Sequence, residues 1–149
     1  AYEIAVPKRL CETHPEVRAL LGDAHFHEAT EVDFSRLPDL ERGPSERILN
    51  EDLAYLRTMP TLTRLDLSWT RLNDGGMYYL RPLTKLEALR IPLDEVTADG
   101  LVHLQGMQQL KQFGGRFGRG RIDDAGMRHV AKLRALEWLF IDETAGMTD

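Results

Sequence analysis

Residues 62–83 read LTRLDLSWTRLNDGGMYYLRPL. Leu62, Leu65 and Leu67 sit at spacings of three and two, and the last pair alternates with an outward residue, as in a strand. Beyond them Leu72, Gly76, Met77, Leu80 and Leu83 share one helical face. Asn73 stands just before that helical pattern and is suited to cap its first turn. The stretch therefore predicts strand, turn and short helix. Such a unit cannot bury its apolar face alone.

The same order of residues recurs. Leu86, Leu89 and Ile91 lead to Val96, Gly100, Leu101, Leu104 and Met107. Leu110 and Phe113 lead to Ile122, Gly126, Met127, Val130 and Leu133, and Leu136, Leu139, Ile141 and Thr144 open a further unit. Upstream, Ile48, Asp52, Leu53, Leu56 and Met59 match the second half of one more, with Asp52 at the glycine position. Thr97 and Asp123 repeat the capping position of Asn73. Stacked units of this kind build a continuous core between parallel strands and a row of helices.

This pattern resembles the leucine-rich-repeat superfamily, L-x-x-L-x-L-x-x-(N/C/T)-x-L, over residues 48–149. Thr70 and Thr144 stand at the polar site, and the run Asp74-Gly75-Gly76-Met77 resembles the 24-residue subclass with a helical convex side. Asp94 at the second polar site and the strand region of the third unit depart from the pattern. The resemblance implies an α/β right-handed solenoid with a parallel sheet on its concave face, short helices on its convex face, and no chemistry of its own.

The first 47 residues do not follow the repeat and read as an N-terminal α/β cap. In it THPEVRALLG is a short helix and ATEVDFSRL a strand with Val32 and Phe34 on one face, and ERGPSER (41–47) joins it to the repeats. The domain expectation is thus a cap over 1–47 and repeats over 48–149: one half repeat, three full ones and an incomplete last one. Met147-Thr148-Asp149 resembles the start of another helix, leaving an apolar end open to self-association or a place in a larger complex.

Composition narrows the function classes. At 149 residues the chain can bury roughly 70% of its unfolded surface, enough for a real core. A net charge of −5 argues against nucleic acid or an acidic membrane as the general partner. Cys11 is the only cysteine, so no internal disulfide forms. No apolar run approaches a membrane span, and AYEIAVPKRL lacks the apolar core of a signal peptide. The expectation is a soluble, intracellular protein.

If the strand register holds, the outward residues are Arg64, Asp66, Ser68 and Trp69, then Ala88, Arg90, Pro92 and Leu93. Gln112, Gly114, Arg116 and Phe117 follow, then Trp138, Phe140, Asp142 and Glu143. Both tryptophans fall on this face, and aromatic residues and arginine are the usual anchors of protein interfaces. The partner-binding residues expected are Arg64, Asp66, Trp69, Arg90, Arg116, Arg119, Arg121, Trp138, Phe140 and Asp142.

Leu62, Leu86, Leu110 and Leu136 lie 24, 24 and 26 residues apart, so two extra residues fall within GGRFGRGR, 114–121. Gly115 stands where the other units bury Leu67, Ile91 and Ile141, leaving a gap for Phe117. Glycines 118 and 120 let the backbone bulge and put arginines 116, 119 and 121 at the rim.

Catalysis finds little support. Asp74, Asp99, Asp123 and Asp124 recur where helices start, a repeated structural task, and there is no HExxH, GxSxG or GxxxxGK[ST]. His25 and His27, with Cys11 and His14 nearby, lack a second pair at ligand spacing, and His103 and His129 fall on the helical side. No cofactor or metal is expected. The chain reads as a non-enzymatic protein-binding module or scaffold. The alternatives are a structural subunit or assembly factor of a larger complex, and nucleic-acid binding through the Arg-Gly loop.

Overall fold

The computed structural model describes residues 30–33, 49–68, 70–116 and 122–142. The expected N-terminal helix, the linker, the histidines near Cys11, Trp69, Phe117, Arg119 and Arg121 lie outside these residues. Five parallel strands form one sheet in chain order: β1 (Glu31–Asp33), β2 (Arg64–Asp66), β3 (Ala88–Arg90), β4 (Gln112–Arg116) and β5 (Trp138–Asp142). Their register follows the sequence period. Leu65 pairs with Leu89, Leu89 with Phe113 and Phe113 with Leu139.

Between strands run α1 (Asp74–Leu80), α2 (Ala98–Leu101) with a 3-10 turn over Val102–Gly106, and α3 (Asp124–Val130); a 3-10 helix, Asn50–Thr58, precedes β2. The inward strand residues and the buried helix residues form one core layer between sheet and helices. Leu67, Leu72, Met77, Leu80 and Leu83 of one unit, and Ile91, Val96, Leu101, Leu104 and Met107 of the next, are fully or almost fully buried. The core thins toward β5, where Leu136 and Ile141 are half-buried.

The helix starts are built as the sequence implies. Asn73 Oδ1 accepts the Gly75 N–H at 2.9 Å, Thr97 Oγ1 the Asp99 N–H at 3.3 Å, and Asp123 Oδ1 the Gly126 N–H at 3.0 Å. Asp52, at the glycine position, is buried and its Oδ2 accepts the Leu49 N–H at 2.9 Å, closing the start of the 3-10 helix. Thr70 is buried at the polar site and its hydroxyl donates to the Leu67 carbonyl at 2.8 Å.

These caps are also tied from unit to unit. Asn50 Nδ2 donates to Asn73 Oδ1 at 2.5 Å, and the Asn73 N–H reaches Asn50 Oδ1 at 3.3 Å. One unit on, Asp74 accepts both the Thr97 N–H and the Thr97 hydroxyl, each at 2.7 Å. This ladder explains two of the recurring glycines, since a Cβ on Gly76 would run into Asn50 Oδ1 and one on Gly100 into Asp74 Oδ1, whereas at Gly126 it would meet Ile122 and Leu101. The next residue at the Asn50 and Asp74 position is Ala98, which has no polar atom to offer. The side-chain ladder ends there.

Two sequence expectations about the strand ends are corrected. Pro92 and Leu93 are buried, not outward, because β3 ends at Arg90 and the chain then turns inward. Gly115 leaves no gap for another side chain. A Cβ there would collide with the Ile91 carbonyl oxygen and lie 3.0 Å from Leu93 Cδ1. Glycine is needed because the β3 exit passes directly beneath it, and Leu93 occupies the adjoining space.

Candidate functional site

Strand alternation places two outward columns on the open face of the sheet. One runs Glu31, Arg64, Ala88, Gln112, Trp138; the other runs Asp33, Asp66, Arg90, Gly114, Phe140. Of the residues expected to bind a partner, Arg64, Asp66, Arg90, Trp138 and Phe140 are therefore brought onto a single face. Arg116 and Asp142 pair in register at the ends of β4 and β5. Sequence reasoning did not join Glu31 and Asp33 to this face. The available signal was the motif Glu31-Val32-Asp33, which matches Arg64-Leu65-Asp66 in polar, apolar, polar order.

The face changes character across its width. At the β1–β2 side Glu31, Asp33 and Asp66 surround Arg64, and the depression they border, about 220 Å³, is largely polar. Asp66 Oδ1 accepts both the N–H of Ser68, at 2.9 Å, and its hydroxyl, at 2.5 Å. Its Oδ2 lies 3.8 Å from Arg90 Nη1, beyond hydrogen-bond distance. With 72% of the Arg90 side chain exposed, that ion pair is loose and solvent-screened.

At the β4–β5 side the face is aromatic. Trp138 and Phe140 are 68% and 66% exposed, unusual for side chains of this size. Gly114 lies buried between Arg90 and Phe140 in its column, and a Cβ on it would stand 2.9 Å from Phe140 Cβ. Glycine is needed there for the close approach of Phe140, and beside it runs a groove of about 250 Å³ with Arg90 on one side and Trp138 and Phe140 on the other.

On the helical side, His103 and His129 are half-buried. The His103 ring stands edge-on to Tyr78, centroids 5.9 Å apart, and Tyr78 carries the Arg81 guanidinium 5.5 Å from its ring centroid. Burial, and then the charge of Arg81, lower the His103 pKa from its ordinary value, against a smaller opposing pull from Asp74. His129 Nδ1 lies 2.9 Å from Gln105 Nε2. Among the described residues no group of three or more His, Cys, Asp or Glu could hold a metal ion, and no helix is long and apolar enough to cross a membrane.

No protein-family model and no curated protein matches the chain. Among solved structures it is similar to an internalin of Listeria monocytogenes, at 16% identity and a TM-score of 0.42. The similarity covers 64% of this chain and 32% of the internalin, so the chain spans about a third of that protein's length.

Proposed function

We propose that this chain is a leucine-rich-repeat solenoid and a non-enzymatic interaction module that binds another protein across the open face of its sheet. The observation that carries this reading is the pair Trp138 and Phe140, both about two-thirds exposed and flanking a groove beside Arg90. Exposing two large aromatics to water forgoes their burial, and a partner surface recovers it. Of the acidic residues at the helix starts, Asp74 is used in the tie to Thr97 and Asp123 in capping Gly126, which favours a structural task over acid–base chemistry for those two. Crosslinking with mass spectrometry in the native host tests the reading. Replacing Trp69, Trp138 and Phe140 together by alanine should deplete the recovered partners, and an unchanged partner set would refute it.

A second reading, a structural subunit of a larger assembly, is favoured by Leu139. It stands in the same register as the buried Leu65, Leu89 and Phe113, yet is 41% exposed. A native mass by light scattering equal to one chain would count against self-assembly. Nucleic-acid binding through arginines 116, 119 and 121 would require steep salt dependence, which a single-stranded RNA titration reads directly.

A further inference from the structure

We propose that the Gly114 groove selects a partner segment in which a carboxylate adjoins a large apolar side chain. The inference rests on the interaction reading above and specifies what that face recognises. Among the described residues Arg90 is the only charged one lining the groove; the remaining described lining is apolar, aromatic or neutral polar. Its guanidinium is available, since Asp66 Oδ2 stands at 3.8 Å and Asp66 Oδ1 is occupied by Ser68. A planar guanidinium presents a fork of donors that matches a carboxylate.

The apolar half of the ligand is set by Trp138 and Phe140, which are exposed along one side of the groove. Strands β3 and β5 flank β4, so Arg90 and Phe140 face each other across roughly 10 Å, two strand spacings. Gly114 itself opens no slot, because a Cβ on it would stand 2.5 Å from the Phe140 carbonyl oxygen; it lets β5 approach closely. A leucine or phenylalanine side chain in the groove would lie against Phe140 and beside Trp138, while a neighbouring carboxylate meets Arg90. A run of acidic residues would extend over Glu31, Asp33 and Asp66 and be repelled. The recognised element is therefore one acid beside one large apolar residue, not an acidic tract.

Fluorescein-labelled decapeptides with an Asp-Leu core, a Lys-Leu core or an Asp-Ser core, titrated by anisotropy against the 149-residue chain, test this. The Asp-Leu peptide should bind on the order of tenfold more tightly than either of the others, as expected for one charge-assisted hydrogen bond and one buried side chain. Arg90→Gln, at an exposed position that gives up only a loose ion pair with Asp66, should erase the difference between Asp-Leu and Lys-Leu while Asp-Ser stays weak. Phe140→Ser should weaken Asp-Leu to the level of Asp-Ser. Equal binding of the Lys-Leu peptide, a charge preference that survives Arg90→Gln, or no binding by any peptide would each overturn the proposal. If the Lys-Leu peptide binds and loses affinity in Phe140→Ser, the interaction reading stands and only the acid selection falls. If Phe140→Ser leaves every affinity unchanged, both fail.

Discussion

Leu89 and Leu139 occupy the same position in two rungs of one sheet, and their environments differ sharply. Leu89 is 1% exposed, whereas Leu139 is 41% exposed. β3 has a strand on each side, while among the described residues β5 pairs with β4 alone. The outward neighbours diverge in parallel: Arg90 on β3, Phe140 on β5. A repeat motif thus specifies which way a side chain points, and the neighbouring rungs decide how well it is covered. Among the described residues, three of the five exposed large apolar side chains, Trp138, Leu139 and Phe140, accordingly lie on β5, on both faces of the strand.

The sharpest way to break that comparison is a pair of truncations. Leu89→Ala removes a fully packed side chain and should cost about 2–5 kcal/mol in urea denaturation, a cavity-sized loss. Leu139→Ala should cost only about 1 kcal/mol, because much of that side chain already meets water. Equal costs would mean that β5 is covered as fully as β3.

The helix-start ladder gives the next two effects. Asp74→Ala deletes two 2.7 Å hydrogen bonds to Thr97 and should destabilise the fold by about 2 kcal/mol. Ala98→Asn should do the reverse, since an amide there can donate to Asp123 as Asn50 does to Asn73, adding about 1 kcal/mol. A melting temperature lowered by Ala98→Asn would show that the third unit, with its two extra residues, is not spaced like the first two. The smallest effect concerns His103. Its pKa is lowered in the folded state, so the unfolded chain binds the proton more readily. The associated stability is complete above the ordinary value of 6.5 and is lost as pH falls through the lowered folded value. In an NMR titration the His103 midpoint should lie below 6.5, and Arg81→Gln should raise it only part of the way, burial being the larger cause.

Much of this arrangement is legible in the residues. The 24-residue spacing gives the strand register, and the capping roles of Asn73, Thr97 and Asp123 follow from their place before each helical pattern. Arg64, Asp66, Arg90, Trp138 and Phe140 are readable as one face because strand alternation holds within each three-residue core. What escapes the sequence lies where the period fails. Val32 precedes Leu65 by 33 residues, so β1 cannot be recognised as a rung by spacing even though it pairs with β2 in register. Leu93 looks outward only if alternation is carried past the end of β3. Gly115 looks like a vacancy because a missing side chain and a close backbone passage read identically in one dimension.

The central claim is that the aromatic end of the sheet, and not the helical side, meets the partner. The most direct measurement places a photo-crosslinking residue at Phe140 in one variant and at Val102, an exposed apolar position on the helical side, in another. After irradiation in the native host, a discrete adduct at Phe140 and none at Val102 is the predicted result. An adduct at Val102 with none at Phe140 would contradict the account.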